Sequence, residues 1–386
     1  MITITERSPL IFCLKFVLWT FFLAFQLLVR VDVSTAQENN AWRTKWKQTV
    51  EAANREGRVN IYYWGAPNVL NAGVFQKAFP GIKVVTTVGV GGQLMQRILT
   101  ERRADKQLAD IYIAGITTMP VLQKAKALDP IKPALILPEV LDESKWWGGK
   151  HHYGDPQKTY ILTFSLSPTY GGVSYNTNLV NPKELKSYWD LLKPKWKGKI
   201  EARDLSRGGP GTTSLRFFYY NKLLGPKYVR RLFGEMDVTL FRNNRQALDW
   251  LGTGKFALAF FPLRVAEAKA TGLPVNSLKL VMKEGVGLSS RVGYINILNK
   301  APHPNAAKVF LNWFLSREGQ ATYQRAEAKA GSPSDSLRID IAKDYIPVED
   351  RRTAGIKYLD LGAPEVSDPV PVRNLLKEVL SKSKRK

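Results

Sequence analysis

The chain has 386 residues, with 57 lysines and arginines against 33 acidic residues and a formal net charge of +24. That length is more than one small core needs and points to two lobes. One cysteine, Cys13, and three histidines argue against a disulfide framework, a thiolate metal centre and a histidine-based catalytic centre.

The first 36 residues read as a secretory leader. Arg7 and Lys15 supply the positive flank, Phe16 to Val29 is an apolar run, and Ser34-Thr35-Ala36 offers small residues for cleavage before Gln37. Leu10 to Val29 is also long enough to span a bilayer, so retention as an anchor stays open. Cys13 precedes the apolar run, where a lipid-modified cysteine would follow it. The expected location is the periplasm, outside the cytoplasm.

Asn40 to Glu56 carries Trp42, Trp46, Val50 and Ala53 at helical spacing, and Gly57 is a fitting stop. Val59 to Tyr63 reads as a strand, Asn68 to Phe79 as a helix, Ile82 to Val88 as a strand, Gln93 to Arg103 as a helix, and Asp110 to Ala114 as a strand. This β-α-β-α-β order predicts a parallel sheet. Ligands of such sheets bind beyond the strands' carboxyl ends, which singles out Trp64 to Ala66, Gly89 to Gln93 and Gly115 to Thr118.

A second unit starts near Tyr170. Gly172 to Tyr175, Ile200 to Ala202 and Phe256 to Phe261 read as its strands. Val286 to Leu298 returns the chain to the first unit, and Asn305 to Gln320 and Val372 to Leu380 are amphipathic helices.

Two glycine-rich helix starts are the leading binding candidates. In the second unit, Gly209, Gly211, Thr212 and Thr213 combine close backbone approach with hydroxyls and free N–H groups, which suit an anion. No lysine follows, so this is not a nucleotide P-loop. Gly91, Gly92 and Gln93 form the analogous turn in the first unit, with Gly115 and Thr117 beyond the third strand. Tyr63 and Trp64 could stack on a ligand, Phe261 could line a cleft, and Arg264 could hold a carboxylate or phosphonate in a bidentate way. His151-His152, in a polar loop, is read as solvated rather than metal-binding. Lysines and arginines are scattered without interleaved aromatics, so no nucleic acid is expected; a solvated surface, anionic lipid headgroups or an anionic ligand all remain as explanations of the charge.

Several ordered stretches carry a family likeness. They are Glu56-Gly57-Arg58-Val59, Ala78-Phe79-Pro80-Gly81-Ile82, Ser174-Tyr175-Asn176-Thr177-Asn178-Leu179-Val180, Trp189-Asp190-Leu191-Leu192, Ala301-Pro302-His303-Pro304-Asn305 and Leu315-Ser316-Arg317-Glu318-Gly319-Gln320. Together they resemble a bacterial extracellular solute-binding protein of an ABC importer, in the ferric-iron-binding-like branch of the type 2 periplasmic binding proteins. The resemblance implies an α/β, two-lobed fold, each lobe a mostly parallel sheet flanked by helices, with a hinge between. The expected division is leader 1–36, lobe 1 over 37–168 and 287–386, and lobe 2 over 169–286. It further implies a monomer that passes a small molecule to an inner-membrane permease, with no cofactor and no catalysis. The iron branch uses an adjacent tyrosine pair. Phe260-Phe261 stands at the matching place and has no oxygen to offer, so the expected ligand is a small anionic or zwitterionic organic molecule. Ferric-iron transport, a secreted hydrolase and an envelope-associated binding module are the alternatives.

Overall fold

The structure is a computed structural model that describes residues 40–206, 211–262, 264–290 and 292–383. The leader and Gly209 lie outside the described residues. No helix among the described residues is long and apolar enough to cross a membrane.

The first sheet is built on three parallel strands, β1 (Arg58–Trp64), β2 (Lys83–Gly89) and β3 (Ile111–Ala114), with β1 between the other two. Alternation along these strands serves two cores. Val59, Ile61, Tyr63, Ile111 and Ile113 face Phe310 and Phe314 of the Pro304–Leu315 helix. Tyr62 and Tyr112 face Leu94 and Ile98 of the Gly91–Arg103 helix on the other side. Side chains two residues apart share a face, so one strand feeds both layers. Four short strands extend the sheet in antiparallel fashion: β4 (Leu128–Asp129), β5 (His152–Tyr153), β6 (Leu162–Thr163) and β14 (Tyr294–Leu298).

The second sheet has the same plan. β9 (Ile200–Arg203) pairs in parallel with β10 (Thr239–Phe241) and β11 (Leu258–Phe260). β8 (Val173–Asn176) runs antiparallel to β11 and to β12 (Val275–Ser277). Both sheets are therefore mixed, with a parallel centre and antiparallel additions.

A third, three-stranded ribbon joins the two. β7 (Ser167–Thr169) leaves the first sheet for the second, and β13 (Val286–Ser289) brings the chain back. They pair antiparallel, and β15 (Tyr358–Asp360) adds to β13 in parallel.

The C-terminal segment departs from the expected division, which gave all of 287–386 to the first lobe. In the first lobe, buried Asp335 accepts hydrogen bonds from the Lys343 ammonium and the Arg352 backbone N–H, while the Arg352 guanidinium donates to the Leu166, Asp335 and Ser336 carbonyls. Beyond β15 the chain enters the second lobe. Buried Arg216 donates to the carbonyls of Leu361 (2.7 Å) and Val366 (2.9 Å). Val372, Leu375, Leu376 and Val379 of the Val370–Ser383 helix join the core of Val229, Leu232 and Phe233. The helix's apolar stripe was legible, but a stripe does not say which core it covers. Leu376→Ala should lower stability by about 2–5 kcal/mol in urea unfolding, as deletion of a buried leucine does. A change near zero would contradict this docking.

One polar residue lies against the grain of the second sheet. Ile200 and Ala202 face the large core, which turns Glu201 of β9 to the opposite face, beside Ala259. Glu201 is fully buried and neither carboxyl oxygen has a hydrogen-bond partner. Burial pushes its pKa up to about 8, with Lys255 opposing only in part. The native form then holds a proton that the unfolded chain has released, so stability is greatest below the ordinary carboxylate range and falls as pH rises to about 8. Urea midpoints should drop between about pH 5 and pH 8, and Glu201→Gln should flatten that slope. An unchanged slope in the variant would sink the assignment.

Candidate ligand site

In the first lobe the carboxyl ends of the three parallel strands gather Trp64, Gly89 and Ala114. The Gly91–Arg103 helix starts directly behind β2. Its N-cap, Val90, supplies no side-chain cap, and its first turn holds no acidic residue, so its leading N–H groups and positive dipole end remain available to an anion. Gly91 is where the helix comes close to its neighbours: a Cβ there would lie 3.6 Å from Tyr112 Oη and 3.7 Å from the Trp64 ring. Tyr112 donates to the Gly91 carbonyl at 3.0 Å and shares a 2.9 Å hydrogen bond with Thr118. Burial pushes the Tyr112 phenol up to about 12, so it stays neutral. Gly91 and Gly115 are buried backbone supports, while Gly92, Gln93 and Thr117 are exposed at the rim. Trp64 is half-buried. Tyr63 is not available for stacking: it is 1% exposed and packs in the core on the far side of β1 from Tyr62.

In the second lobe, Gly211 is the left-handed N-cap (φ 98°) of the Thr212–Tyr220 helix, again with no side-chain cap and no acidic first turn. Three segments converge on it. A Cβ on Gly211 would lie 2.7 Å from Phe261 Cβ, and one on Gly172, where β8 is about to begin, would lie 2.7 Å from Ser214 Oγ. Thr212 and Thr213 are half-exposed beside this point.

Phe261 is corrected by the structure. It is 2% exposed and packs on Phe218 and Phe260, so it supports the helix start from beneath rather than lining a cleft. Arg264 does sit at an accessible place. It follows β11, lines a depression with Thr169, Tyr170 and Gly172, and pairs with exposed Glu267 at 3.3 Å. Such an exposed pair contributes about 0–1 kcal/mol, which leaves the guanidinium free to turn toward a ligand.

The histidine pair is also unlike its sequence reading. His151 and His152 bond the Val140 and Trp147 carbonyls, each at 2.8 Å, and burial lowers both pKa values. They brace a folded segment. Among the described residues no group of His, Cys, Asp and Glu could hold a metal ion. Sequence reasoning missed a serine-rich pocket at the hinge, formed by Ser167, Ser289, Ser290, Ser332 and Ser334. Scattered serines carry no local signal; only folding collects them.

Two α/β lobes joined by crossing strands agree with a match of residues 60–321 to the family of bacterial extracellular solute-binding proteins. The chain belongs to that family. A curated relative of this solute-binding protein is an uncharacterized protein of Haemophilus influenzae, 27% identical over 308 residues, covering 75% of this chain and 79% of that one. The fold of this chain is similar to that of Trichodesmium IdiA (FutA), solved in complex with iron and citrate: TM-score 0.61, 18% identity, 84% of this chain and 99% of that one. AfuA of Actinobacillus pleuropneumoniae, solved with fructose-6-phosphate bound, has a TM-score of 0.54 at 18% identity, over 85% of this chain and 99% of that one.

The two glycine starts of this solute-binding protein should differ under mutation. Gly211→Val puts a Cβ into Phe261 at a positive φ and should cost about 1–3 kcal/mol in thermal or urea unfolding. Gly92→Ala meets nothing within 4 Å and should leave stability within about 0.5 kcal/mol. Equal effects would refute this geometry.

Proposed function

We propose that this solute-binding protein captures a small organic anion or zwitterion between its lobes and delivers it to a membrane permease. The supporting observation is the pair of uncapped helix starts, one at the carboxyl end of each sheet's parallel strands, with no acidic residue in either first turn. Each presents the positive end of a helix dipole. Exposed Arg264, beyond β11, adds a guanidinium suited to carboxylate or phosphate. A ligand touching both lobes favours the closed form, because only closure completes its contacts. Such a receptor works outside the inner membrane, as a monomer free in the periplasm or tethered by its leader.

Ferric iron is the second reading, favoured by the iron and citrate of the Trichodesmium relative. Against it stands the Phe260-Phe261 pair, both buried and without a ligating oxygen. Thermal shift and calorimetry with small carboxylates, phosphates, amino acids and Fe(III) separate the two. Saturable binding of Fe(III) alone would overturn the anion reading. Arg264→Ala is expected to weaken binding of the anion that the panel identifies by about tenfold, the loss of one charge-assisted hydrogen bond, with the unfolding midpoint unchanged. Full affinity in that variant would remove Arg264 from the site.

A further inference from the structure

The amino ends of the second lobe's parallel strands carry a surface that solute capture leaves unused. Lys199 stands directly before β9, Lys255 shortly before β11 and Asp237 shortly before β10. Backbone hydrogen bonds gather these approaches. The Lys199 carbonyl accepts from the Ala257 and Leu258 N–H groups at 2.9 and 3.2 Å, and the Gly198 N–H donates to the Met236 carbonyl at 3.0 Å. β8 runs antiparallel, so its last residue arrives at the same end: the Asn176 N–H donates to the Ala257 carbonyl at 3.0 Å. Leu179, in the turn after β8, lies 3.4 Å from a Cβ built on Gly254. The Gly211 helix start and Arg264 belong to the carboxyl ends of these strands, at the other end of the sheet.

This surface is basic and partly apolar. Lys193, Lys195, Lys197, Lys199 and Lys255 are all exposed. Three of them have acidic neighbours: Lys193 pairs with Asp190 at 2.8 Å, Lys195 with Glu184 at 3.2 Å and Lys197 with Asp237 at 3.5 Å. Lys199 and Lys255 make no salt bridge with a described residue, and Glu201, the carboxyl whose charge Lys255 favours, is fully buried. Among these lysines Leu179 is 49% exposed and Trp250 is half-buried. The chain's formal charge of +24 adds long-range attraction to any anionic surface.

The mixture decides which anionic partner fits. At a lipid–water boundary, ammonium groups meet lipid phosphates while leucine and indole settle at headgroup depth. Nucleic acid asks for open aromatic faces on which bases stack. Here the rings are covered: the Lys195 ammonium lies 4.7 Å from the Trp196 ring centre, and that of Lys255 lies 4.2 Å from the Trp250 ring centre.

We infer that this amino-end surface of the second lobe docks on a bilayer surface carrying anionic phospholipid headgroups. Docking there leaves the carboxyl ends of the strands uncovered, so lipid binding and solute capture are separate events. The inference goes beyond the proposed function and does not depend on which solute is carried.

Co-sedimentation of the protein with phosphatidylcholine vesicles, with and without phosphatidylglycerol, tests this. The neutral vesicles report whatever a retained leader contributes. Affinity for the anionic vesicles should exceed that for the neutral ones by at least about tenfold at low salt, and the excess should vanish in about 1 M salt, where the Debye length is roughly 3 Å. Lys199→Gln/Lys255→Gln should lose about tenfold of the anionic-vesicle affinity, the worth of one to two lysines at a charged bilayer, with the unfolding midpoint unchanged. Lys255→Gln alone should lose part of it and serves if the double variant is less stable. Lys45→Gln/Lys77→Gln removes the same charge from exposed positions of the first lobe and should lose less than about twofold. Equal binding to the two kinds of vesicle, or equal losses in the two double variants, would overturn the docking surface. Binding to a DNA duplex as tight as to the anionic vesicles, at the same salt, would overturn lipid as its partner.

Discussion

The pairing of β13 with β7 on one edge and β15 on the other is the constraint from which the remaining architecture follows. Three crossings in one hydrogen-bonded ribbon tie the two sheets together. Two of the crossings are secured beside a lobe. Leu166, just before β7, accepts from buried Arg352, and Leu361, just after β15, accepts from buried Arg216. Both guanidiniums are taken out of water; carbonyls accept from their terminal N–H groups, and Arg352, whose Nε–H has no hydrogen-bond partner, also pairs with Asp335 at 3.4 Å.

The candidate site is built on two helix starts, one in each lobe. Both helices at the candidate site start from glycine or beside it, and neither start is capped by a side chain. A structural helix end is ordinarily capped, since orphan N–H groups are costly when buried.

Local features were legible from the sequence wherever the physics is local. Strand and helix order in the first lobe followed from period, and Gly91 and Gly211 stood out because close approach and a positive φ single out glycine. Orientation was less accessible. Tyr63 and Trp64 are neighbours in one strand, so facing one residue to the core turns the other away, and only the packing of the Pro304–Leu315 helix shows which is which. Phe261 has the same explanation: its left-handed backbone and the approach of Gly211 press it inward. His151 and His152 looked solvated because their sequence neighbours are polar, yet their ring nitrogens meet the Val140 and Trp147 carbonyls.

The sequence by itself determined the kind of protein: an α/β chain of family-like stretches in order, basic, almost without cysteine, with two glycine-rich helix starts. These are properties of local period, composition and backbone freedom. Tertiary structure alone decided that the C-terminal helix belongs to the second core, that Glu201 is buried without a partner, and that serines from residues 167 to 334 form one pocket. All three depend on which distant surfaces meet. An apolar stripe, a carboxylate or a serine is compatible with many such meetings, and only the packed chain selects one.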